Sequence, residues 1–546
     1  MGRLGPIIPI LLLACLEMPA AAAPPRPNVV IMLVDDVGFA DIGCFGGEIP
    51  TPHLDRLAAG GLRFTQFYNS ARCSPSRAAL LTGLNPHQAG MGWLDSKVVP
   101  ESRGFHGRLL PRSVTIAEVL RDAGYFTAMT GKWHLGQQNG TPPWTRGFMR
   151  SLNSRYGEVY FPKETDRPGT THLSLDGREI PKDSPELGAD WYSTDLFVDW
   201  GLRFVDEAVA RKQPFFLYVA QGAAHFPLRA PAEVIARHRG RYRGGWDALR
   251  TARHARQIEM GIVAADQPLS PRPPDSPAWD TLAADRQERC DEMMAAYAAM
   301  IECVDRSMGT LVAGLESRGL LDDTLIIFLA DNGGNAEGGP DGQTKGPGPI
   351  GSPDSYVLLG MNWATLCNTP FVRYKHFTHE GGISSPTIVH WPRGIDPSRH
   401  GRLEPQPAHL VDVFPTVLEL AGAVPPVTRG GHAILPPEGV SLLPAFAGRP
   451  LARQQPLCWE HEGNKAVRDG RWKLVQKWRG SWELYDIDTD RVEQHDLAAE
   501  RPDLVETMAA VWRAWAERTH VDDWPGPDHT AWGADIVPPQ EPGGSR

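Results

Sequence analysis

The chain has 546 residues, of which 41% are hydrophobic and 22% are charged. These proportions are ordinary for a globular protein with a large core, and the length predicts more than one domain. The formal net charge of −10 argues against a nucleic-acid-binding function, because there is no basic excess to neutralise phosphates. We therefore expect no nucleic-acid partner, whereas a small anionic substrate stays open because a few local cations can bind it.

The N-terminal residues have the pattern of a secretory signal peptide. Residues 1–23 contain Arg3, an Ile/Leu-rich run and four final alanines. The run is interrupted by prolines and is too short for a convincing membrane span. We expect export, to the periplasm or the medium, and no stable membrane association. The tetrapeptide Leu-Leu-Ala-Cys15 resembles a lipoprotein cleavage box, so a lipid anchor at Cys15 is the less favoured alternative.

Two apolar runs end in pairs of oxygen ligands. Asp35 and Asp36 directly follow one run, and Asp331 and Asn332 directly follow another. Such runs are typical of strands buried in a parallel sheet, whose carboxyl ends carry the functional sites. Adjacent carboxylates repel each other unless a cation lies between them, although a helix cap beside one solvated acid is the alternative. Four oxygen ligands suit Ca²⁺ or Mg²⁺ rather than zinc.

The segment 73–83 reads Cys-Ser-Pro-Ser-Arg-Ala-Ala-Leu-Leu-Thr-Gly. It predicts a short helix that is capped by Ser74 and ends at Gly83. Cys73 would then lie at the positive end of the helix dipole, beside the cation Arg77. This environment stabilises a thiolate or binds an anion. A lone cysteine there would be interpreted as a buried structural residue.

Four further candidates follow or precede predicted strands. Lys132 and His134 lie in Gly-Lys-Trp-His-Leu-Gly after a predicted strand, where alternate side chains of an extended segment point the same way. His225 follows the apolar run 214–220, and Lys375 lies five residues before a Glu-Gly-Gly sequence. Lysines can neutralise an anion and histidines can carry a proton. The alternatives are solvated lysines and packed loop histidines.

Together these motifs resemble those of the type I, formylglycine-dependent sulfatase family, and the chain looks closest to secreted bacterial arylsulfatases. The resemblance rests on the 73–83 segment, the Gly-Lys-Trp-His-Leu-Gly string and both ligand pairs, and it extends over residues 28–518. It implies an α/β, alkaline-phosphatase-like fold: a large mixed, mostly parallel sheet flanked by helices, with a smaller C-terminal antiparallel sheet and helix. The implied divisions are residues 24–449 (catalytic), 450–524 (C-terminal) and 525–546 (Pro/Gly-rich tail).

The resemblance also implies the site chemistry. A maturation enzyme would oxidise Cys73 to Cα-formylglycine, whose hydrate is the nucleophile. The implied cofactor is Ca²⁺ rather than Mg²⁺, with the ligands Asp35, Asp36, Cys73, Asp331 and Asn332. The implied catalytic residues are Cys73, Arg77, Lys132, His134, His225, Lys375 and Asp331.

Each implied catalytic residue has a role in that scheme. Lys132, His225 and Lys375 hold the sulfate, and Arg77 and Lys132 orient the hydrate. Asp331 accepts a proton, and His225 or Lys375 protonates the departing alcohol. His134 then helps to restore the aldehyde.

The implied reaction is hydrolysis of a small-molecule sulfate monoester to an alcohol or phenol and inorganic sulfate. One alternative is a formylglycine-dependent phosphonate monoester or phosphodiester hydrolase, because relatives share this site. A second is a non-catalytic binder of sulfated glycans. A cysteine phosphatase is a poor fit, because Cys73 and Arg77 are too close for a Cys-x5-Arg loop.

The cysteines do not predict a disulfide framework. The chain has seven, and removal of Cys15 with the signal peptide together with conversion of Cys73 would leave five, an odd number. Their scattered spacing also lacks a Cys-x-x-Cys zinc pattern.

Overall fold

The structure, a computed structural model, describes residue 2, residues 26–164 and residues 172–524. Apart from residue 2, the predicted signal peptide with Cys15 lies outside the described residues, as does the predicted tail 525–546. Within the described residues, no helix is both long enough and apolar enough to cross a membrane. Each of the six cysteines in this part of the chain is buried and free of disulfide bonds.

The strands of the described residues are numbered in chain order. They are β1 (Asn28–Val34), β2 (Leu62–Tyr68), β3 (Phe126–Lys132), β4 (Arg150–Ser154), β5 (Leu173–Leu175), β6 (Arg178–Ile180), β7 (Phe215–Ala220), β8 (Thr324–Ala330), β9 (Gln343–Lys345), β10 (Tyr356–Leu358), β11 (Ser384–His390), β12 (Arg402–Glu404), β13 (Ala408–His409), β14 (Thr428–Arg429), β15 (His432–Ala433), β16 (Leu457–His461), β17 (Asn464–Asp469), β18 (Trp472–Gln476) and β19 (Trp482–Asp486).

The α-helices follow the same numbering. They are α1 (Pro52–Ala59), α2 (Cys73–Thr82), α3 (Pro86–Ala89), α4 (Ile116–Asp122), α5 (Ser193–Ala210), α6 (Ala232–His238), α7 (Gly245–Glu259), α8 (Ala284–Ser317), α9 (Met361–Cys367), α10 (Glu380–Ile383), α11 (Val413–Ala421), α12 (Leu443–Phe446) and α13 (Pro502–Arg518). Short 3-10 helices lie at Gly43–Phe45, Gln137–Asn139, Pro143–Thr145, Trp279–Thr281, Leu321–Asp323, Pro397–Arg399 and Leu410–Asp412.

The main sheet has the strand order β12-β2-β11-β8-β1-β7-β3-β4-β5-β6, and β13 also pairs with β2. The five central strands, from β8 to β4, are parallel to one another. Antiparallel pairs occur where β11 joins β8 and β2, and where β5 and β6 extend the other end. The predicted large, mixed and mostly parallel sheet is confirmed.

Both faces of the sheet are covered, which explains the uninterrupted apolar runs of its central strands. Alternate residues of β1 pack into two different cores. Helices α1, α5 and α8 cover one face, and α2, α4 and α11 cover the other. Every residue of β1 and β8 is buried, as expected for strands between two helical layers.

A separate antiparallel sheet, β16-β17-β18-β19, follows the main sheet in the chain. One of its faces packs on α13, and the other packs on the ends of β2 and β11 around Tyr68 and Ile383. This helix runs from Pro502 to Arg518, and the expected C-terminal antiparallel sheet with a helix is confirmed. Strand β17 was not predicted, because Asn464 and Arg468 are buried polar residues that hide the alternating pattern.

The start of helix α2 differs from the sequence prediction. Ser74 is not the N-cap: Arg72 occupies that position and Cys73 is the first helical residue. The reason is that the Ser76 amide donates to the Arg72 carbonyl at 2.9 Å, so the helical hydrogen bonds begin before the proline. Gly83 ends the helix with φ of 67°, a left-handed conformation that suits glycine, as predicted.

A buried ion-pair network joins the C-terminal sheet to the main sheet. The Lys473 ammonium lies 2.9 Å from Glu380 and 2.8 Å from Glu493, and all three side chains are fully buried. Arg491 supplies a second cation to Glu380 at 2.9 Å. Burial would raise the pKa of Glu380, but these cations outweigh it and lower the pKa to about 2.

We predict that Lys473→Met lowers the free energy of unfolding by about 3–5 kcal/mol, because it leaves buried carboxylates with too few cations. The matched control is Arg471→Met, which removes an exposed pair with Asp486 and should change the stability little, because exposed ion pairs contribute little. Urea unfolding followed by tryptophan fluorescence measures both. Equal losses in the two variants would contradict the structural importance of the buried network.

Candidate active site

The sequence-predicted site residues gather at one edge of the main sheet, and strand register explains why. Val34 pairs with Ala330, so Asp35 and Asp331, one residue further along parallel strands, lie side by side. Strands β3 and β7 end at the same edge and lead to Lys132 and His225.

The segments that carry Cys73 and Lys375 reach this edge next to antiparallel strands. The end of β2 pairs with the beginning of β11, through Tyr68 and Ser384. Because β11 is antiparallel to β8, its beginning lies at the carboxyl edge of the parallel strands. The segments that carry Cys73 and Lys375 are therefore delivered to the same place.

Cys73 is buried at the first position of α2, and every residue of that helix is buried. Arg77 lies one turn later and its guanidinium bonds two carboxylates: Nη2 lies 2.7 Å from Asp331 Oδ2 and 3.4 Å from Asp35 Oδ2. Its Nη1 donates to the Lys132 carbonyl at 3.0 Å. This fully buried cation therefore links α2 to three strands.

Asp35 forms a close ion pair with Lys132, whose Nζ lies 2.5 Å from Oδ2. Burial alone would raise the pKa of Asp35, but Lys132, His225 and Arg77 hold it well below its usual range. For Asp331, burial and the neighbouring Asp35 raise the pKa well above its usual range, against the opposing charge of Arg77. The two carboxylates therefore repel each other.

Asp36 accepts hydrogen bonds from three side chains. Its Oδ1 accepts from Lys375 Nζ at 2.6 Å and from Asn332 Nδ2 at 2.7 Å, and its Oδ2 accepts from Asn335 Nδ2 at 2.7 Å. Asp36 also has a left-handed backbone, with φ of 57°, a strained conformation that is common at functional sites. Sequence reasoning missed Asn335, although it stands only three residues after Asn332.

Two buried histidines lie beside this cluster. Burial and the neighbouring Lys132 lower the pKa of His134 to about 3, against the opposing effect of Asp95. Burial lowers the pKa of His225 to about 4, although Asp36, whose Oδ2 is 3.8 Å from His225 Nε2, acts in the opposite direction. Both imidazoles are therefore neutral at pH 7 in the free protein.

The backbone at His134 differs from the extended segment that the sequence predicts. The backbone is not extended there, because His134 has φ of 56°. Its Nε2 lies 3.5 Å from Oδ1 of the buried Asp95, and Tyr156 packs edge-on against the ring. No sequence signal marked Asp95, since it stands in a loop without a recognisable motif.

The oxygen atoms at the strand ends fit a divalent cation. Asp35 Oδ1, Asp331 Oδ1 and Asn332 Oδ1 are buried, and none of them has a hydrogen-bond partner. Unpartnered buried oxygens are costly, and a cation between them would also remove the repulsion between the carboxylates. Hard oxygen donors are the ligands that Ca²⁺ and Mg²⁺ prefer.

A different group, Asp35, Asp36 and His225, has ligand atoms that all lie within 4.8 Å of one another. We favour Asp35, Asp331 and Asn332 as ligands, because each of them has a buried oxygen without a hydrogen-bond partner. His225 is also partnered: its Nδ1 lies 2.6 Å from the Phe226 carbonyl, and its ring stacks on that of Phe226.

The chain is similar to known proteins over most of its length. Residues 27–423 match the family described as Sulfatase. The arylsulfatase of Klebsiella aerogenes is 36% identical, over 77% of this chain and 92% of the relative. An uncharacterized sulfatase of Schizosaccharomyces pombe is 33% identical, over 91% of this chain and 94% of the relative. The chain belongs to the sulfatase family.

This sulfatase is also 32% identical to human arylsulfatase A, over 85% of the chain and 77% of the relative. Among solved structures, Ps i-CgsB in complex with k-i-k-neocarrahexaose superposes with a TM-score of 0.67 at 26% identity, covering 93% of this chain and 96% of the other. These relatives confirm the predictions of a sulfatase enzyme and of an alkaline-phosphatase-like fold.

We predict that added Ca²⁺ raises the thermal midpoint of unfolding after chelator treatment, because an ion bound only by the folded state stabilises it. The gain is about 2.7 kcal/mol at a hundredfold excess over Kd. Asp35→Asn should lose most of this shift. The control Asp305→Asn should retain it, because Asp305 is a buried carboxylate that caps α1 through the amides of His53 and Leu54. Equal shifts in both variants would place the ion elsewhere.

Proposed function

We propose that the chain is an arylsulfatase-type sulfuric ester hydrolase that uses a formylglycine made from Cys73 and a bound Ca²⁺. The reaction converts a sulfate monoester and water into a phenol or alcohol and inorganic sulfate. One observation carries the proposal: the buried cluster of Cys73, cations and unpartnered oxygens at the carboxyl edge of the sheet. Cys73 is the first residue of α2, and Arg77, one turn later, bonds Asp331 and contacts Asp35.

Position 73 would carry the nucleophile. When oxidised and hydrated, formylglycine supplies a hydroxyl that can attack sulfur. The positive end of α2 favours an anionic group there, and Arg77 and Lys132 are placed to orient it. The position of Cys73 at the start of α2 therefore supports this role.

Asp35, Asp36, Asp331 and Asn332 would hold the Ca²⁺, together with an oxygen on residue 73. When bound, the ion polarises the sulfate oxygens and offsets the charge that develops on them. Asp331 has one oxygen on Arg77 and one without a partner. The second oxygen is available to the ion or to the proton of the attacking hydroxyl.

Lys132, His225 and Lys375 would surround the sulfate and supply a proton. Burial acts to lower the pKa of Lys375, but Asp36 and Glu337 raise it above its usual value. Lys375 therefore keeps its proton at neutral pH and can offset the charge of the sulfate, and it is one candidate donor to the departing alcohol. His225, neutral in the free protein, is the alternative donor once the anionic substrate is bound.

His134 would act on the hydroxyl that stays on residue 73. A neutral imidazole can accept that proton, and burial keeps His134 neutral at pH 7. Asp95 is placed to orient the ring and to stabilise its positive charge after transfer. This arrangement supports the assignment of His134 to the restoration of the aldehyde.

The biological setting is also part of the proposal. Export through residues 1–23 would take the protein to the periplasm or the medium, and a formylglycine-generating enzyme would have to modify Cys73. We propose a catalytic domain over residues 24–449 and a smaller domain over residues 450–524. The separate C-terminal sheet and α13 support this division.

We predict that the tryptic peptide containing residue 73, from protein made in its native host, has the mass of formylglycine. The same sample should hydrolyse an aryl sulfate, and a chelator should abolish most of the turnover. Cys73→Ala should be inactive, because no hydroxyl nucleophile can form. Cys458→Ala, which removes a buried thiol in the C-terminal sheet, serves as the matched control and should stay active.

The outcomes separate the alternatives. Formylglycine with turnover of an aryl phosphodiester but not of an aryl sulfate would replace the sulfatase assignment by the phosphodiesterase one. Modified protein that binds sulfated glycans and hydrolyses neither ester would favour the non-catalytic binder. Full activity with an unmodified thiol would contradict the proposed nucleophile.

A further inference from the structure

A hairpin of the C-terminal sheet reaches the active-site region of the main sheet. Its turn lies between β16 and β17, and Glu462 in that turn has a left-handed backbone, with φ of 50°. The neighbouring Asn464 donates through Nδ2 to the His376 carbonyl at 3.2 Å, and Thr378 donates to the Lys465 carbonyl at 3.1 Å. The hairpin is therefore fastened to the loop that carries Lys375.

The Glu462 side chain contacts the residue next to Lys375. Its Oε2 lies 2.6 Å from His376 Nδ1, and both side chains are buried. Burial would raise the pKa of Glu462, but His376 and His461 hold it well below its usual value. His376 also has a strained backbone, with φ of 84°. Two strained residues, one in the loop that carries Lys375 and one in the β16–β17 turn, thus meet through one contact.

His376 in turn contacts the segment that precedes Cys73. The His376 amide donates to the Ala71 carbonyl at 3.0 Å, and the Arg72 guanidinium contacts the His376 ring. Arg72 also pairs with Glu337 at 3.3 Å. Glu462 is consequently connected, through one imidazole, to the neighbours of both Lys375 and Cys73.

A further link leads to the oxygen ligands. The Glu337 amide donates to Asn335 Oδ1 at 2.7 Å, and Asn335 Nδ2 donates to Asp36 at 2.7 Å. Lys375 itself bonds the other oxygen of Asp36. The path from the hairpin therefore ends on a proposed Ca²⁺ ligand, and each of its steps is a contact between buried or nearly buried groups.

We propose that Glu462 is a positioning residue of the active site: through His376 and Arg72, it fixes the loops that carry Lys375 and Cys73. This inference rests on the proposed sulfatase function. It gives the C-terminal sheet a role in catalysis in addition to its packing. Small displacements of catalytic groups cost large factors in rate, and outer partners of a site are typically worth about 10- to 100-fold in activity.

The test compares Glu462→Gln with a matched control at the same interface. In the control, Glu483→Gln, the altered carboxylate also belongs to the C-terminal sheet and also faces a histidine of the same loop, with Oε2 3.4 Å from His379 Nε2. No contact connects it to Arg72 or Cys73 among those described. Both variants lose an interface contact, but only E462Q loses the path to the site.

We expect E462Q to lower kcat for an aryl sulfate about 10- to 100-fold, with KM changed by less than about threefold, while E483Q stays within about threefold of wild type in kcat. Assays run well below the thermal midpoint of each variant, and rates are divided by the formylglycine content from the residue-73 peptide mass. Glu462→Asp, which keeps the charge on a shorter side chain, should give an intermediate kcat. Equal losses in E462Q and E483Q, or a loss explained by missing formylglycine, would overturn the proposal.

A double-mutant cycle tests the route. If Glu462 acts through Arg72, the change E462Q should cost little in an Arg72→Gln background, because the effects of residues in one hydrogen-bond and ion-pair network are non-additive. Fully multiplicative losses would overturn this route. Wild-type turnover in the same assay separates the two hypotheses: an inactive, formylglycine-containing wild type contradicts the proposed function, whereas an active wild type with an unaffected E462Q contradicts only the positioning role.

Discussion

The structure depends on a set of charges buried at the carboxyl edge of the main sheet. Asp35, Asp36 and Asp331 are removed from water there, and isolated carboxylates would be very costly in that environment. Their compensation comes from Arg77, Lys132 and Lys375, which arrive on other segments of the chain. The cluster is therefore stable only when several strands have reached their final positions together.

The cations do not satisfy every oxygen atom of this cluster, and the unsatisfied oxygens are relevant to function. The cations bond one side of each carboxylate, while oxygens of Asp35, Asp331 and Asn332 stay without partners. A fold selected for stability alone would satisfy these atoms or replace them with apolar groups. A pre-arranged group of unpartnered oxygens and fixed cations is suited instead to an ion and an oxyanion substrate, which need no reorganisation on binding.

The C-terminal sheet contributes to this arrangement from outside. It packs one face against Tyr68 at the end of β2 and Ile383 before the start of β11, next to the segments that carry Cys73 and Lys375. Lys473 holds it by buried ion pairs, and the β16–β17 turn extends it towards His376. The loops around Cys73 and Lys375 are thus held between two sheets, which limits how far either loop can move.

The sequence by itself determined the elements and the chemistry that is local along the chain. Uninterrupted apolar runs predicted β1 and β8, because strands covered on both faces need no polar positions, and the residues directly after them are the candidate oxygen ligands. Only the tertiary structure decided which distant groups meet. Asp95 beside His134 and Glu462 beside His376 come from segments without a motif, and β17 was hidden by buried polar residues. Hydrophobic periodicity indicates which side of an element is buried. Which side chains meet between two sheets depends on tertiary packing, and no local sequence pattern encodes it.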